Sequence, residues 1–252
     1  MPLRASNPLE PVLEPLLRPS PNFTPRREGL KPHLVVLHYT AMDSAEAALQ
    51  RLCDPQAEVS AHYLIGRDGR LWQLVPEEMR AWHAGAGEWC GMSDINSRSI
   101  GIELDNRGDH PFAARQMAVL EVLLAQILQR WAIPPAGVIG HSDMAPGRKC
   151  DPGPRFDWAR LARLGLARAT PVATEAGPES LLDREPEGSC EAEFQTLAAA
   201  AGYSTEASPA AVLRSLRLRH APWRQGALGA ADIGLLRRLV AGGCAQVAGK
   251  KA

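Results

Sequence analysis

The sequence predicts an α/β domain followed by a small helical module, and three observations carry that expectation. Short all-apolar runs such as LVVL (34–37) read as buried strands. Between Pro111 and Trp131 the apolar residues Met117, Leu120, Leu123, Leu124, Ile127, Leu128 and Trp131 recur at spacings of 3 and 4, which is one face of a long helix. After residue 168 the composition breaks. Residues 169–193 hold seven acidic side chains against one basic, Arg184, among Pro, Gly, Ser and Thr, and helical periodicity then returns over 194–243.

Residues 1–32 are rich in Pro and Arg without a sustained period and read as an extended arm. The domain proper runs over 33–168. LVVL delivers His38 at its end, and AEAALQRLC (45–53) has helical spacing. AHYLIG (61–66) and RLWQLV (70–75) flank Arg67-Asp68-Gly69, a hairpin signal because Asp-Gly tolerates the left-handed turn. SIGIEL (99–104) is a further strand, and Pro134-Pro135 stop the long helix. GVIGH (137–141) is a last strand, again ending in His, and FDWARLARLGLA (156–167) is a closing helix with Asp157 in its first turn. The acidic stretch 169–193 is a linker. From residue 204 the chain has eight basic residues and two acidic, so 194–252 reads as a basic three-helix module. About fifty residues make a marginal core, so the module is expected to dock on the first domain.

Composition excludes several classes of function. With 28 Lys+Arg against 28 Asp+Glu, the chain lacks the positive excess that phosphate neutralisation needs, so nucleic acid is not an expected partner. No apolar run reaches the length of about 18 residues that spans a membrane. The first twenty residues carry too much Pro and Glu for the apolar core of an export signal. Cys53, Cys90, Cys150, Cys190 and Cys244 are odd in number and irregular in spacing, unlike a secreted disulfide framework. The cytoplasm is the expected compartment.

Chemistry concentrates in a few positions. His38 and His141 end apolar strands, and Asp151 follows His141 by ten residues. Two imidazoles and a carboxylate are three ligands for zinc, with a fourth position left for water. Each His is equally readable as an ordinary strand-terminal residue. Strand alternation sets Ile100, Ile102 and Leu104 on one face and Ser99, Gly101 and Glu103 on the other. Glu103 is then either a solvated rim residue or a buried general base. Lys149, two residues before Asp151, shares its side in an extended chain and could meet an oxyanion there; otherwise it is a surface lysine.

The segments VVLHYTA, SAHYLIGRDGRLWQLVPEEMRAWHAG, NSRSIGIELDN and GHSDMAPGRKCDPGPRFDW resemble, in order and spacing, the zinc-dependent N-acetylmuramoyl-L-alanine amidases of the type-2 amidase family. The resemblance covers roughly residues 20–165, and its most specific part joins a His to PGRK-x-DPGP at fixed spacing. It implies a central mixed β-sheet flanked by helices, with zinc at the bottom of a peptide-binding groove. It also implies zinc ligation by His38, His141 and Asp151, catalysis by Glu103 and Lys149, and substrate contacts from Tyr63, Asn96 and Arg148. His62 and His83 fall in matching stretches as structural or groove residues, and Cys150 as a neighbour of the site that is no ligand.

The C-terminal module resembles a helical peptidoglycan-binding-like domain. It either binds wall fragments or docks on the enzyme and stabilises it. The implied reaction is hydrolysis of the amide between N-acetylmuramic acid, or its 1,6-anhydro form, and the L-Ala of the stem peptide, in peptidoglycan recycling. The alternatives are a periplasmic amidase acting on intact peptidoglycan and a non-catalytic muropeptide binder, the latter expected to have lost a zinc ligand.

Overall fold

The computed structural model describes residues 13–171 and 190–241. The first twelve residues of the expected arm, most of the acidic linker and the tail with Lys250 and Lys251 lie outside that range. In chain order the strands are β1 (Leu16–Leu17), β2 (Phe23–Pro25), β3 (Leu34–Tyr39), β4 (Tyr63–Ile65), β5 (Leu71–Gln73), β6 (Met79–Ala81), β7 (Ser99–Leu104) and β8 (Val138–Gly140). The helices are α1 (Ala45–Cys53), α2 (Ile95–Arg98), α3 (Ala114–Trp131), α4 (His141–Met144), α5 (Trp158–Arg163), α6 (Cys190–Ala201), α7 (Pro209–His220) and α8 (Ala230–Ala241). Six strands form one mixed sheet in the order β1-β5-β4-β7-β3-β8, and β2 pairs with β6 in a small second sheet. The expected α/β class and mixed sheet are what the chain adopts. No helix among the described residues is long and apolar enough to cross a membrane.

The two faces of the main sheet are covered differently. On one face Val35 and Leu37 of β3, Ile100, Ile102 and Leu104 of β7 and Val138 of β8 pack against Met117, Leu120, Leu123, Leu124, Ile127 and Leu128 of α3, as the helical spacing foretold. The opposite face presents Leu34, Val36 and His38 alternating out of β3, and Ile139 of β8. There α6, α7 and α8 close the core with Phe194, Val212, Leu216, Ile233 and Leu236. The C-terminal helices therefore complete the fold of the first domain, consistent with docking by a module too small for its own core.

Several boundaries differ from expectation. Within the described part of the arm, β1 runs parallel to β5 and β2 antiparallel to β6, so these two segments satisfy edges that would otherwise stay unpaired. Strands of two and three residues are too short to show a period. The closing helix is only Trp158–Arg163, and Asp157 caps it from outside the first turn, its carboxylate accepting the Arg160 N–H at 2.9 Å. Gly165, at φ +69°, ends that helix in the left-handed region where glycine is favoured. α6 begins at Cys190, inside the stretch assigned to linker, with Glu191 and Glu193 in its first turn where the helix dipole favours them.

Candidate metal centre

His38, Glu103, His141, Lys149 and Asp151 line one cleft of about 570 Å³ at the C-terminal ends of β3, β7 and β8. β3 and β7 run parallel with His38 opposite Glu103, so alternation sends both side chains to the face that carries Leu34 and Val36. His141 is not the last residue of a strand. β8 stops at Gly140 and His141 opens the single turn α4, because the Asp143 carboxylate accepts the Gly140 N–H at 2.8 Å and folds the chain over. Asp151 is tied to that turn by the Ser142 N–H, which donates to its carbonyl at 2.9 Å. Lys149 directly follows the turn 146–148, its N–H donating to Ala145 O, so it reaches the cleft by chain reversal and not by extended alternation.

The three candidate ligand atoms converge. His38 Nδ1 stands 2.9 Å from His141 Nδ1 and 2.9 Å from Asp151 Oδ2, and His141 Nδ1 is 3.0 Å from Asp151 Oδ2. Hydrogen bonds around the two rings fix which nitrogen carries the proton. His141 Nε2 faces Ala84 O at 2.9 Å and can only donate to it. Ser99 Oγ donates to Ile95 O at 2.6 Å, so the His83 Nε2 at 3.1 Å donates to Ser99. Neutral His83 then accepts through Nδ1 from His38 Nε2 at 3.0 Å.

Both ligand rings thus turn a bare Nδ1 toward a carboxylate oxygen, and three acceptors face one another with no proton between them. Burial and the neighbouring His141 push His38 down to about 4, and burial with His38 and His62 beside it lowers His83 well below the ordinary range, so both stay neutral. A cation resolves that clash of lone pairs. Two imidazoles and one carboxylate, each oriented from behind, are a donor set that fits zinc.

Glu103 Oε2 is shut off from solvent and has no hydrogen-bond partner. Burial, and then the Asp151 charge, push its carboxyl up to about 8, against the pull of Lys149. Gly101, two residues before it, admits His83. A Cβ there would lie 2.4 Å from His83 Cγ, which is the physical reason for the small residue in SIGIE.

The remaining expected site residues separate. Arg148 lines the cleft and donates to Ala84 O at 2.7 Å and to Ala86 O. Asn96 does not face the cleft. Its Oδ1 accepts the N–H groups of His83 at 3.0 Å and Ala84 at 2.8 Å, holding the loop behind the ligands. Tyr63 is on the other face of the sheet, its hydroxyl donating to Glu77 at 2.8 Å, because alternation along β4 turns it toward α3. It is not part of this site. His62 accepts the Gly101 N–H at 2.9 Å and is structural, as expected. Cys150 Sγ turns to the Tyr39 hydroxyl at 3.0 Å. Arg51 and Arg214 also line the cleft and lie outside every motif of the family resemblance, and Trp82 lines it from within the stretch that ends in WHAG. Arg214 comes from α7, so its position follows only from docking of the C-terminal helices.

The profile of the Amidase_2 family, N-acetylmuramoyl-L-alanine amidase, matches residues 28–154. The chain belongs to this family. The chain is 43% identical over 149 residues to N-acetylmuramoyl-L-alanine amidase AmiD of Escherichia coli K12, covering 53% of this chain and 53% of that protein. The matched stretch thus spans about half the length of that relative. It is 37% identical over 160 residues to 1,6-anhydro-N-acetylmuramyl-L-alanine amidase AmpD of Enterobacter cloacae, covering 57% of this chain and 86% of AmpD. Among solved structures, E. coli AmiD in complex with anhydro-N-acetylmuramic acid-L-Ala-D-gamma-Glu-L-Lys superimposes with a TM-score of 0.73 at 33% identity, over 89% of this chain and 93% of AmiD. AmpDh3 of Pseudomonas aeruginosa gives 0.71 at 31% identity, over 86% of this chain and 94% of AmpDh3. Coverage of that extent reaches into the C-terminal helices.

Proposed function

We propose that this chain is a zinc amidase that hydrolyses the bond between the lactyl carboxyl of N-acetylmuramic acid, in its 1,6-anhydro form, and the L-Ala of the stem peptide. The observation that carries the reading is the pair of bare imidazole nitrogens facing a carboxylate oxygen, beside an unpartnered glutamate in the same cleft. His38, His141 and Asp151 hold the ion. Zinc so held supplies Lewis acidity, polarising the scissile carbonyl and acidifying water to near neutrality.

Glu103 takes the proton of the attacking water on Oε2 and passes it to the departing amide nitrogen; its lack of any other partner leaves that oxygen free for both transfers. Lys149 puts an ammonium at the cleft to offset negative charge that develops on the carbonyl oxygen. Arg148, also on the cleft wall, is the substrate contact retained from the sequence reading. Asn96 acts behind the ligands through the His83–Ala84 backbone and touches no substrate.

The anhydro sugar is supported by the substrate bound in the AmiD structure and by the AmpD relatives, named for anhydro-muramyl substrates. Recycling of such soluble fragments in the cytoplasm is the role that follows, and an envelope amidase acting on intact wall is the alternative. Purified protein offered soluble anhydro-muropeptides and intact sacculi, each with and without chelator, decides between them by mass spectrometry of released stem peptide. Chelator-sensitive release from the soluble substrate alone is the expected result. Release from sacculi as well moves the role to the envelope, and release from neither overturns the amidase reading.

A further inference from the structure

We propose that Arg219 of α7 is a positioning residue for the metal centre, so that the C-terminal helices build the site as well as cover the core; the inference rests on the reading that His38, His141 and Asp151 hold zinc. Arg219 leaves its own module entirely. Its Nη1 donates to Asp143 Oδ2 at 2.6 Å and its Nη2 to Val138 O at 3.0 Å, with the guanidinium 4.1 Å above the Trp158 ring. The pair is buried, the side chains exposed by 6% and 0%. Asp143 Oδ2 is also the oxygen that accepts the Gly140 N–H, and Tyr203, following α6, donates to Oδ1 at 3.5 Å. This carboxylate is what turns the chain from β8 into α4.

The turn carries two of the three ligands. His141 is its first residue, and the Ser142 N–H holds the Asp151 backbone. The path from Arg219 to the ligands therefore runs through one ion pair and one turn of helix. Removing the guanidinium leaves a buried carboxylate without its counter-charge, and such a group draws in water or rotates away. Either response releases Gly140 N–H and loosens His141 and Asp151 together. Groups that hydrogen-bond a ligand directly carry about 10–100-fold in metal affinity, and Arg219, one ion pair further out, is expected at the lower end of that range.

The same helix supplies the control. Arg217 pairs with Asp232 through Nε at 3.1 Å and Nη2 at 2.7 Å, with side-chain exposures of 10% and 0%, but that pair stays within the C-terminal helices. Zinc affinity, by chelator competition on the full chain, and thermal unfolding of the zinc-free protein are measured for wild type, Arg219→Met and Arg217→Met. The expected result is a loss of stability in both variants and a loss of zinc affinity of about 10-fold in Arg219→Met alone.

Wild-type zinc affinity in folded Arg219→Met overturns the proposal, as does an equal loss in Arg217→Met. If Arg219→Met does not fold, Asp143→Asn/Arg219→Met, which buries no lone charge, takes its place with the same expectation; failure of that variant to fold assigns Arg219 a purely structural role and also overturns it. Wild-type protein that binds no zinc overturns the metal reading and this inference with it, an outcome distinct from a wild type that binds zinc and an Arg219→Met variant that binds it equally well.

Discussion

Two glutamates lie on opposite faces of one sheet and behave in opposite ways. Glu77, on the α3 side, is 4% exposed, and its carboxylate accepts from the Tyr63 hydroxyl at 2.8 Å, Arg130 Nε at 2.8 Å and Trp131 Nε1 at 2.5 Å. Burial alone would raise its carboxyl, but those donors outweigh it and hold it below the ordinary value. Glu103, on the other face, has an Oε2 that nothing satisfies, and burial carries its carboxyl up to about 8. A buried acid with all its partners ties elements together; one kept without them stores a proton affinity that chemistry can use.

The largest effect that sharpens this contrast is removal of a ligand. Asp151→Ala is expected to lose bound zinc and amide cleavage together, read by metal analysis and product mass spectrometry; a variant that cleaves without metal would contradict the assignment. Glu103→Gln comes next, with cleavage reduced by about 10²–10⁴-fold and zinc content unchanged. On the α3 face the expectation reverses. Leu124→Ala, at a position with 0% exposure, should cost about 2–5 kcal/mol in denaturant unfolding and leave zinc affinity and per-zinc turnover at wild-type values.

Glu77→Gln is the smallest effect, about 1–3 kcal/mol at neutral pH, and it carries a sign with pH. The Glu77 carboxyl is held low in the folded state, so its contribution is full above the unfolded value of about 4.3 and disappears as pH falls through the folded value below it. The stability gap between wild type and Glu77→Gln should close on acidification and stay constant above pH ~6. A gap independent of pH would mean that Glu77 acts through shape alone.

The same contrast governs what could be read in the sequence. The α3 face was legible from periodicity, since Met117, Leu120, Leu123, Leu124, Ile127 and Leu128 are buried where the spacing put them and Trp131 is half-buried at its end. The site face broke that pattern with His38 and Glu103 at the ends of apolar strands, and the chemistry of those side chains carried the reading. Tyr63 was misassigned because its motif sits beside the site, while strand alternation sends its ring to the far face. Asn96 was placed in the right neighbourhood but one layer too far forward. His83 was recognised as a structural or groove residue; its part in fixing the His38 proton becomes visible only through Ser99 and Gly101. Arg214 and Arg219 reach the cleft and α4 across more than sixty residues of intervening chain, and no local pattern encodes such contacts.

The most direct test of the account is a zinc back-titration of chelator-stripped protein, following cleavage of an anhydro-muramyl tripeptide. Activity that is absent at the start and rises linearly to a plateau at one zinc per chain is the expected result, since one set of converging donors is present among the described residues. Cleavage that persists in the stripped protein, or a plateau reached only after several equivalents in a protein whose His38 and His141 are intact, would contradict a single catalytic ion held by His38, His141 and Asp151.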